Sequence, residues 1–430
     1  MIRVLLDALY WEVLVFAFPF WLYKVPQARR YRAGILQRMG FVPRREGEEP
    51  CLWVHCSSVG EASIPRELVR RFRERHGEWE VVFSTFTDTG AERLRKLYPD
   101  CEVFYWPLDL SCCVDRALGR VRPDAVLLVE QELWPNFLLG CRERGVAVGI
   151  VNGRMRARSV PLVRGIGHLV RPMWEAVKMC CARSEADGRR FGEAGLETGR
   201  IGVSGSLKYE ALPAEVDPEV VRGLRELFGF SGEEPVLVAG STHPGEEIAL
   251  CRVWERLRGR HPDLRLVVVP RHIERGDDLT EELTAAGFGV ARKTDLDAGA
   301  GEPAEDAVIL VDTIGDLVGC YGLATCAFVG RSLSAPGGGQ NMMEPAALGV
   351  PVIVGRHTGN FEPEMEVLRD RGAVVEAADE GELEREIERL LSDAAYRLEL
   401  GERGRRVIRE NRGAAEVTVD AIERMLVKGE

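Results

Sequence analysis

The sequence lacks the short motifs that would announce a common activity. It has no Gly-x-Gly-x-x-Gly and no Gly-x-x-x-x-Gly-Lys-Ser/Thr, so the best signs of a dinucleotide oxidoreductase or a P-loop hydrolase are missing. Neither His-Glu-x-x-His nor Gly-x-Ser-x-Gly occurs, which leaves zinc peptidase and α/β-hydrolase readings without support. The eleven cysteines contain no Cys-x-x-Cys. Their odd number, and their placement in apolar runs such as 177–182, read as buried reduced thiols of a cytoplasmic protein, not as a disulfide scaffold or a zinc site. Positive charge is short too: 57 Lys plus Arg against 68 Asp plus Glu leave −11, a poor basis for general nucleic-acid binding.

The cations that exist are unevenly placed. Residues 1–45 hold eight cations and two anions, so they carry +6 and the remainder −17. Within them, Val13 to Tyr23 is free of charge and is followed by Lys24, Arg29, Arg30 and Arg32. That run is too short to span about 30 Å of hydrocarbon. Extending it back to Val4 adds Asp7 and Glu12, and an Asp near the bilayer centre costs roughly 2.5–3.5 kcal/mol. No small-x-small cleavage site follows. The segment is therefore expected to lie in the cytoplasmic leaflet, with Trp21 and Tyr23 at headgroup level and its cations on anionic lipid. A buried helix of a soluble domain and one tilted span are the alternatives.

A chain of 430 residues predicts two to four domains. Strands are expected at 51–55, 81–84, 103–106, 125–129, 146–151 and 177–182, and in a second set at 236–239, 266–269, 308–311, 327–329 and 351–354. These are continuous β-branched runs separated by helical patterns, which predicts parallel sheets covered on both faces. The prolines and polar residues of 211–218 suit a linker. The expected fold class is α/β: two doubly wound Rossmann-like domains facing a cleft, at 46–210 and 219–430, preceded by the membrane-associating segment 1–45.

Several strand ends carry candidate chemistry. After the first strand comes His55-Cys-Ser-Ser-Val-Gly-Glu61. Glu61 can serve as a general base, but Ser58-x-x-Glu61 also has the spacing of a capping box, and Gly60 permits close approach of a ligand. The hydroxyls of 84–90, Thr87 among them, suit a sugar or phosphate or an ordinary helix cap. Glu130 and Glu132, before Trp134-Pro-Asn136, suit polar ligand recognition or solvated loop charges; a metal is weakly supported because no His or third carboxylate stands nearby in sequence. Lys208 precedes the linker and reads as an anion contact or a solvated lysine. In the second half, the turn containing Ser241 and Thr242 suits a phosphate, and Arg271 with His272 follows at the same sheet edge. The most informative run is Gly337-Gly338-Gly339-Gln340-Asn341-Met-Met-Glu344. Bare glycine N–H groups there can cradle a phosphate at a helix start, and Glu344 in the first turn can accept from a ribose diol.

Taken together, these residues resemble the bacterial 3-deoxy-D-manno-octulosonic acid (Kdo) transferases. The likeness runs through His55–Glu61, Thr85–Gly90, Glu130–Asn136, the run 152–159 with Arg154, Ser204–Lys208, Ser241–Glu247, Pro270–His272, Asp312–Asp316, Gly338–Glu344 and His357–Phe361. The resemblance implies the GT-B fold and an inverting, metal-independent transfer of Kdo from CMP-Kdo to a lipid A precursor at the cytoplasmic face of the inner membrane. It implies no cofactor and no nucleic-acid partner. Glu61 falls on the family's proposed base. The acceptor would meet the N-terminal domain, where Ser58, Gly60, Thr87, Glu130, Glu132 and Arg154 would contact it or shape the cleft. The donor would meet Lys208, Ser241, Thr242, Arg271, His272, Gly338, Gly339, Gln340, Asn341 and Glu344. Two positions depart from the family: Gln340 stands where His is usual, and Asp316 where Glu is common. A helix dipole at Glu61 is expected to depress its pKa. Another envelope GT-B enzyme using a UDP-sugar and a lipid-linked acceptor is the rival reading.

Overall fold

The computed structural model describes residues 2–12, 34–165 and 167–427. The apolar run Val13–Tyr23 and the cations Lys24 to Arg32 lie outside the described residues. The chain forms two compact units, Met1–Ala211 with Asn411–Glu430, and Leu212–Glu410.

In the first unit the continuous apolar runs become β1 (Cys51–His55), β2 (Glu80–Thr85), β3 (Val103–Tyr105), β4 (Ala125–Val129), β5 (Ala147–Gly153), β6 (Val177–Ala182) and β7 (Ile201–Val203). They form one sheet of order β3-β2-β1-β4-β5-β6-β7, parallel throughout. Every residue of β1 and of β4 is buried, as strands covered on both faces require. Full burial of each Val or Leu there contributes about 1.5–3 kcal/mol. Strand order reverses between β1 and β4, so the loops leaving these strands flank the switch point where doubly wound domains take ligands.

The last helix was expected in the second domain, within 219–430, yet Ala414–Val427 packs into the first unit. Ala415, Val419 and Ile422 are wholly buried in the same cluster as Leu52, Phe72 and Val151. Arg71 and Arg75 add ion pairs to Glu416 and Asp420 at 2.6 and 2.8 Å. Amphipathic spacing announces a buried face but not the partner that covers it.

Residues 2–12 form a helix docked on the first unit. Ile2 and Leu6 pack on its core. Arg3 pairs with Asp115 at 2.9 Å. Asp7 accepts from the Ser111 N–H, at the start of the helix Ser111–Val121, and from the Asn136 side-chain amide, both at 2.9 Å. Tyr10 donates to Asp109 at 2.8 Å. These contacts hold residues 2–12 against the first unit, while the rest of the expected membrane-associating run lies outside the described residues. Among the described residues, no helix is long and apolar enough to cross a membrane. Part of the +6 charge is also met internally, since Arg3 pairs with Asp115 and Arg45 with Glu80 at 3.3 Å.

The second unit repeats the plan with β8 (Val236–Thr242), β9 (Arg265–Pro270), β10 (Gly289–Arg292), β11 (Ala307–Leu310), β12 (Cys326–Val329), β13 (Val352–Gly355) and β14 (Val375–Ala377). Its order is β10-β11-β9-β8-β12-β13-β14, with the switch point between β8 and β12. Sequence reading missed β7, β10 and β14. All three are short edge strands with partly exposed residues, so they lack the continuous apolar run that marks an interior strand.

Candidate active site

At the switch point of the first sheet, the chain leaving β1 turns over residues 58–65, and the next helix begins only at Arg66. Glu61 is thus outside a helical first turn, which overturns both the capping-box reading and the expected dipole effect. Its carboxylate instead accepts from the Ser57 N–H at 2.8 Å, the Ser57 hydroxyl at 2.6 Å and the Ser58 hydroxyl at 3.2 Å. Burial pushes its pKa up, the hydrogen bonds from Ser57 oppose this, and the charge of Glu130 adds to the rise. Gly60 is exposed, and a Cβ there would meet only Ser58 Oγ at 3.9 Å, so packing does not demand glycine.

Across the switch point, Glu130 ends β4 in a left-handed conformation (φ 63°) that turns the chain out of the sheet. Glu132 accepts from the Trp134 indole N–H at 2.9 Å. Its pKa is raised by burial, against the Trp134 hydrogen bond and with the charges of Glu61 and Glu130 adding. Three carboxylates from two loops therefore share one field. Like charges resist joint ionisation, and a carboxylate raised toward neutrality is a stronger general base. The described residues contain no group of three or more His, Cys, Asp or Glu placed to hold a metal.

Other expected residues of this unit divide. The hydroxyl loop is spent on the fold: Thr87 caps the helix Asp88–Leu97 by accepting from the Gly90 N–H at 3.0 Å, and Ser84 is buried between Trp53 and His55. For Thr87 the structure shows the helix cap, one of the two readings the sequence allowed. Asn136 is buried and ties Asp7 and Asp109 together. Arg154 follows β5 at the same sheet edge, half-buried. Lys208 sits in the turn Leu207–Tyr209, its N–H 3.4 Å from the Ser206 hydroxyl.

In the second unit, Ser241 adopts φ 53° as β8 ends, while the Thr242 side chain is wholly buried and so cannot face a ligand as expected. The glycine run is left-handed at Gly337, Gly338 and Gly339. A Cβ on Gly338 would stand 2.4 Å from the Asn360 amide. The Gly338 N–H donates to the His357 carbonyl at 2.9 Å and that of Gly339 to the Arg331 carbonyl at 2.7 Å. Those two groups are not bare, which moves any backbone phosphate contact on to Gln340 and Asn341. Glu344 does lie in the first turn of Met343–Ala347 and accepts from Asn341 at 3.0 Å. Burial raises its pKa, against the Asn341 hydrogen bond and the Arg271 charge. Arg271 is exposed. His272 is half-exposed, with Nδ1 3.2 Å from Glu274.

Three functional candidates escaped the sequence reading. Ser57 supplies two of the hydrogen bonds on Glu61, and only contact geometry reveals it. Glu246, 2% exposed, accepts from the N–H groups of His243, Arg331, Ser332 and Leu333 at 2.7–3.0 Å, tying the turn after β8 to the loop after β12. His243 places Nε2 3.0 Å from the Gln340 side-chain nitrogen. Both lie in the turn 240–247, so the motif was visible although their tasks were not.

Comparison with known proteins gives a consistent result. Residues 33–211 match the family model described as 3-deoxy-D-manno-octulosonic-acid transferase, and residues 249–407 match that of glycosyl transferases group 1. A 3-deoxy-D-manno-octulosonic acid transferase of Haemophilus influenzae is 32% identical, over 92% of each chain. Another, of Bordetella pertussis, is 31% identical over 86% of each. Among solved structures, the UDP-GlcNAc 2-epimerase of Neisseria meningitidis superposes with a TM-score of 0.59 at 14% identity, covering 87% of this chain and all of its own. That likeness speaks to the fold alone, and with the two Rossmann-like sheets it gives the chain the GT-B fold.

Proposed function

Since the chain belongs to the 3-deoxy-D-manno-octulosonic acid transferase family and is a glycosyltransferase of lipopolysaccharide biosynthesis, we propose that it moves Kdo from CMP-Kdo to a glucosamine hydroxyl of a lipid A precursor. The transfer inverts the anomeric centre and uses no metal. The observation that carries this reading is Glu61: a carboxylate at the switch point of the first sheet, oriented by Ser57 and Ser58 and raised in pKa by burial. It takes the proton from the attacking hydroxyl while CMP departs from the opposite face. Charge growing on the departing phosphate meets Arg271 and the N–H groups from Gln340 onward, and Glu344 holds the ribose diol. Glu130, Glu132 and Arg154 line the acceptor side.

The acceptor is a lipid, and the proposed location is the cytoplasmic face of the inner membrane. The exposed side chains of Val4, Leu5, Leu9 and Trp11, on the helix whose other face is docked on the protein, support contact with an anionic leaflet. Mass analysis of the product tests the function. Incubation with CMP-Kdo and an acylated, phosphorylated glucosamine disaccharide should add one or more Kdo increments. Transfer from a UDP-sugar instead, or no increment at all, would overturn the proposal.

The acid cluster sets a pH dependence. A base must be ionised, so kcat/KM falls as pH drops through the raised pKa of Glu61, and the acid limb lies above the ordinary carboxylate range. Glu130→Gln removes a charge that raises it. The limb should then move to lower pH, read from kcat/KM profiles of the two proteins. An unmoved limb would detach Glu130 from the base.

A further inference from the structure

His243 stands at the switch point of the second sheet, between the ends of β8 and β12, where a doubly wound domain receives its ligand. Its backbone is pinned by Glu246 at 2.9 Å. Its ring meets that of His272 edge-on, with centroids 5.6 Å apart. The side-chain nitrogen of Gln340, 3.0 Å from Nε2, can only donate. In this assigned orientation Nε2 is therefore an acceptor, and the imidazole is neutral with its proton on Nδ1.

The charged groups facing the ring come from three elements: Glu246 at the start of the helix Glu246–Arg258, Arg331 in the loop after β12, and His272 with Arg275 in the segment after β9. Burial is the main influence holding the imidazole below its ordinary pKa. Glu246 opposes, while Arg331, His272 and Arg275 reinforce. The carboxylate of Glu246 is already shared among four backbone N–H groups. A new anion is what would turn this balance.

We propose that His243 is a proton-linked anion sensor of the donor site: neutral and hydrogen-bonded to Gln340 in the free protein, it takes one proton from solvent when a nucleotide phosphate arrives. The Gln340 amide then rotates to present its oxygen to the new Nε2–H. The proton returns to solvent when the nucleotide leaves. In the proposed donor the phosphate is a diester with one negative charge; in departing CMP it gains a second. Protonated His243 therefore interacts more strongly with the leaving group than with the bound donor, which is the differential binding that lowers a barrier. This inference rests on the reading that the second unit binds a cytidine nucleotide.

Calorimetric titration of the full-length protein with CMP, at about pH 7.5 in buffers of different ionisation enthalpy, tests it by counting protons. The wild type should take up protons on binding, and its CMP affinity should weaken by up to about tenfold per pH unit as pH rises through the linked range. His243→Asn should bind CMP with that uptake removed. The phosphate of CMP itself titrates near pH 6, equally in both proteins, so their difference isolates the imidazole. Gln340→Met removes both the donor that favours neutral His243 in the free protein and the oxygen that favours its protonated form in the complex. The proton uptake on CMP binding should fall and the pH range over which affinity weakens should narrow, a change that a purely structural contact would not cause. Equal uptake in wild type and His243→Asn, or undiminished uptake in Gln340→Met, overturns the inference while leaving nucleotide binding in place. Failure of the wild type to bind CMP overturns the donor reading itself.

Discussion

Glu61→Gln should lower kcat by about 10²–10⁴-fold, the range a positioned general base contributes, while CMP affinity stays within about twofold. The amide matches the carboxylate in shape, and its oxygen can still accept from the Ser57 N–H while its N–H₂ donates to the Ser57 and Ser58 hydroxyls, but it cannot take a proton. Stability gives an independent control. Burial and Glu130 raise the Glu61 pKa, so the ionised form costs folding energy at neutral pH. Raised folded-state pKa values in an acid lower stability as pH climbs from the unfolded value through the folded one. A neutral amide escapes that cost, and its melting temperature should equal or exceed that of the wild type. Loss of turnover with an intact melting temperature identifies chemistry, not misfolding. Steady-state kinetics, CMP titration and thermal unfolding together provide the check, and turnover near the wild-type rate would remove Glu61 from its role.

How much of this site was legible follows from the range of each interaction. Interior strands such as Cys51–His55 and Ala125–Val129 announce themselves because both faces are buried and the run is unbroken. Their adjacency was implicit in the expected doubly wound topology, which brings Glu61 and Glu132 into one field although 71 positions separate them. Local spacing misled where two solutions share one pattern. Ser58-x-x-Glu61 fits a capping box, yet the chain makes a turn first and starts its helix at Arg66, after Pro65. The side chains that spacing offered as a cap hydrogen-bond to each other instead. The glycine run misled in a different way. Left-handed φ values at Gly337 to Gly339 were readable as a need for glycine, but the carbonyls that consume two of the N–H groups belong to Arg331, eight residues back in the same loop, and to His357 in the loop after β13, a folding-back that local spacing does not show. The destination of Ala414–Val427 was equally hidden, since its partner surface is built from segments more than 200 residues away.

Glu246→Ala should strongly destabilise the second unit. The carboxylate is 2% exposed and both oxygens are engaged: Oε2 accepts from His243 and Arg331, Oε1 from Ser332 and Leu333. Truncation strands four N–H groups. An unmet buried donor costs about 1–3 kcal/mol, and with relaxation and entry of water reducing the sum, a loss on the order of 3–5 kcal/mol is expected. Glu246→Gln keeps one acceptor oxygen and sets an amide N–H₂ against two of the backbone donors, so it should fall between Ala and wild type. The local consequence reaches function, because the released loop carries Arg331, whose carbonyl holds the Gly339 N–H and so fixes the start of the Gln340 to Glu344 run. Amide hydrogen exchange over residues 330–334 should accelerate in Glu246→Gln even where the fold survives, with weaker CMP binding in step. If both variants unfold within about 1 kcal/mol of the wild type and the loop amides stay protected, the carboxylate is not the clasp between the two loops. Cooperative loss of exchange protection and CMP affinity would instead mean that the second site is assembled by a residue that never touches the nucleotide.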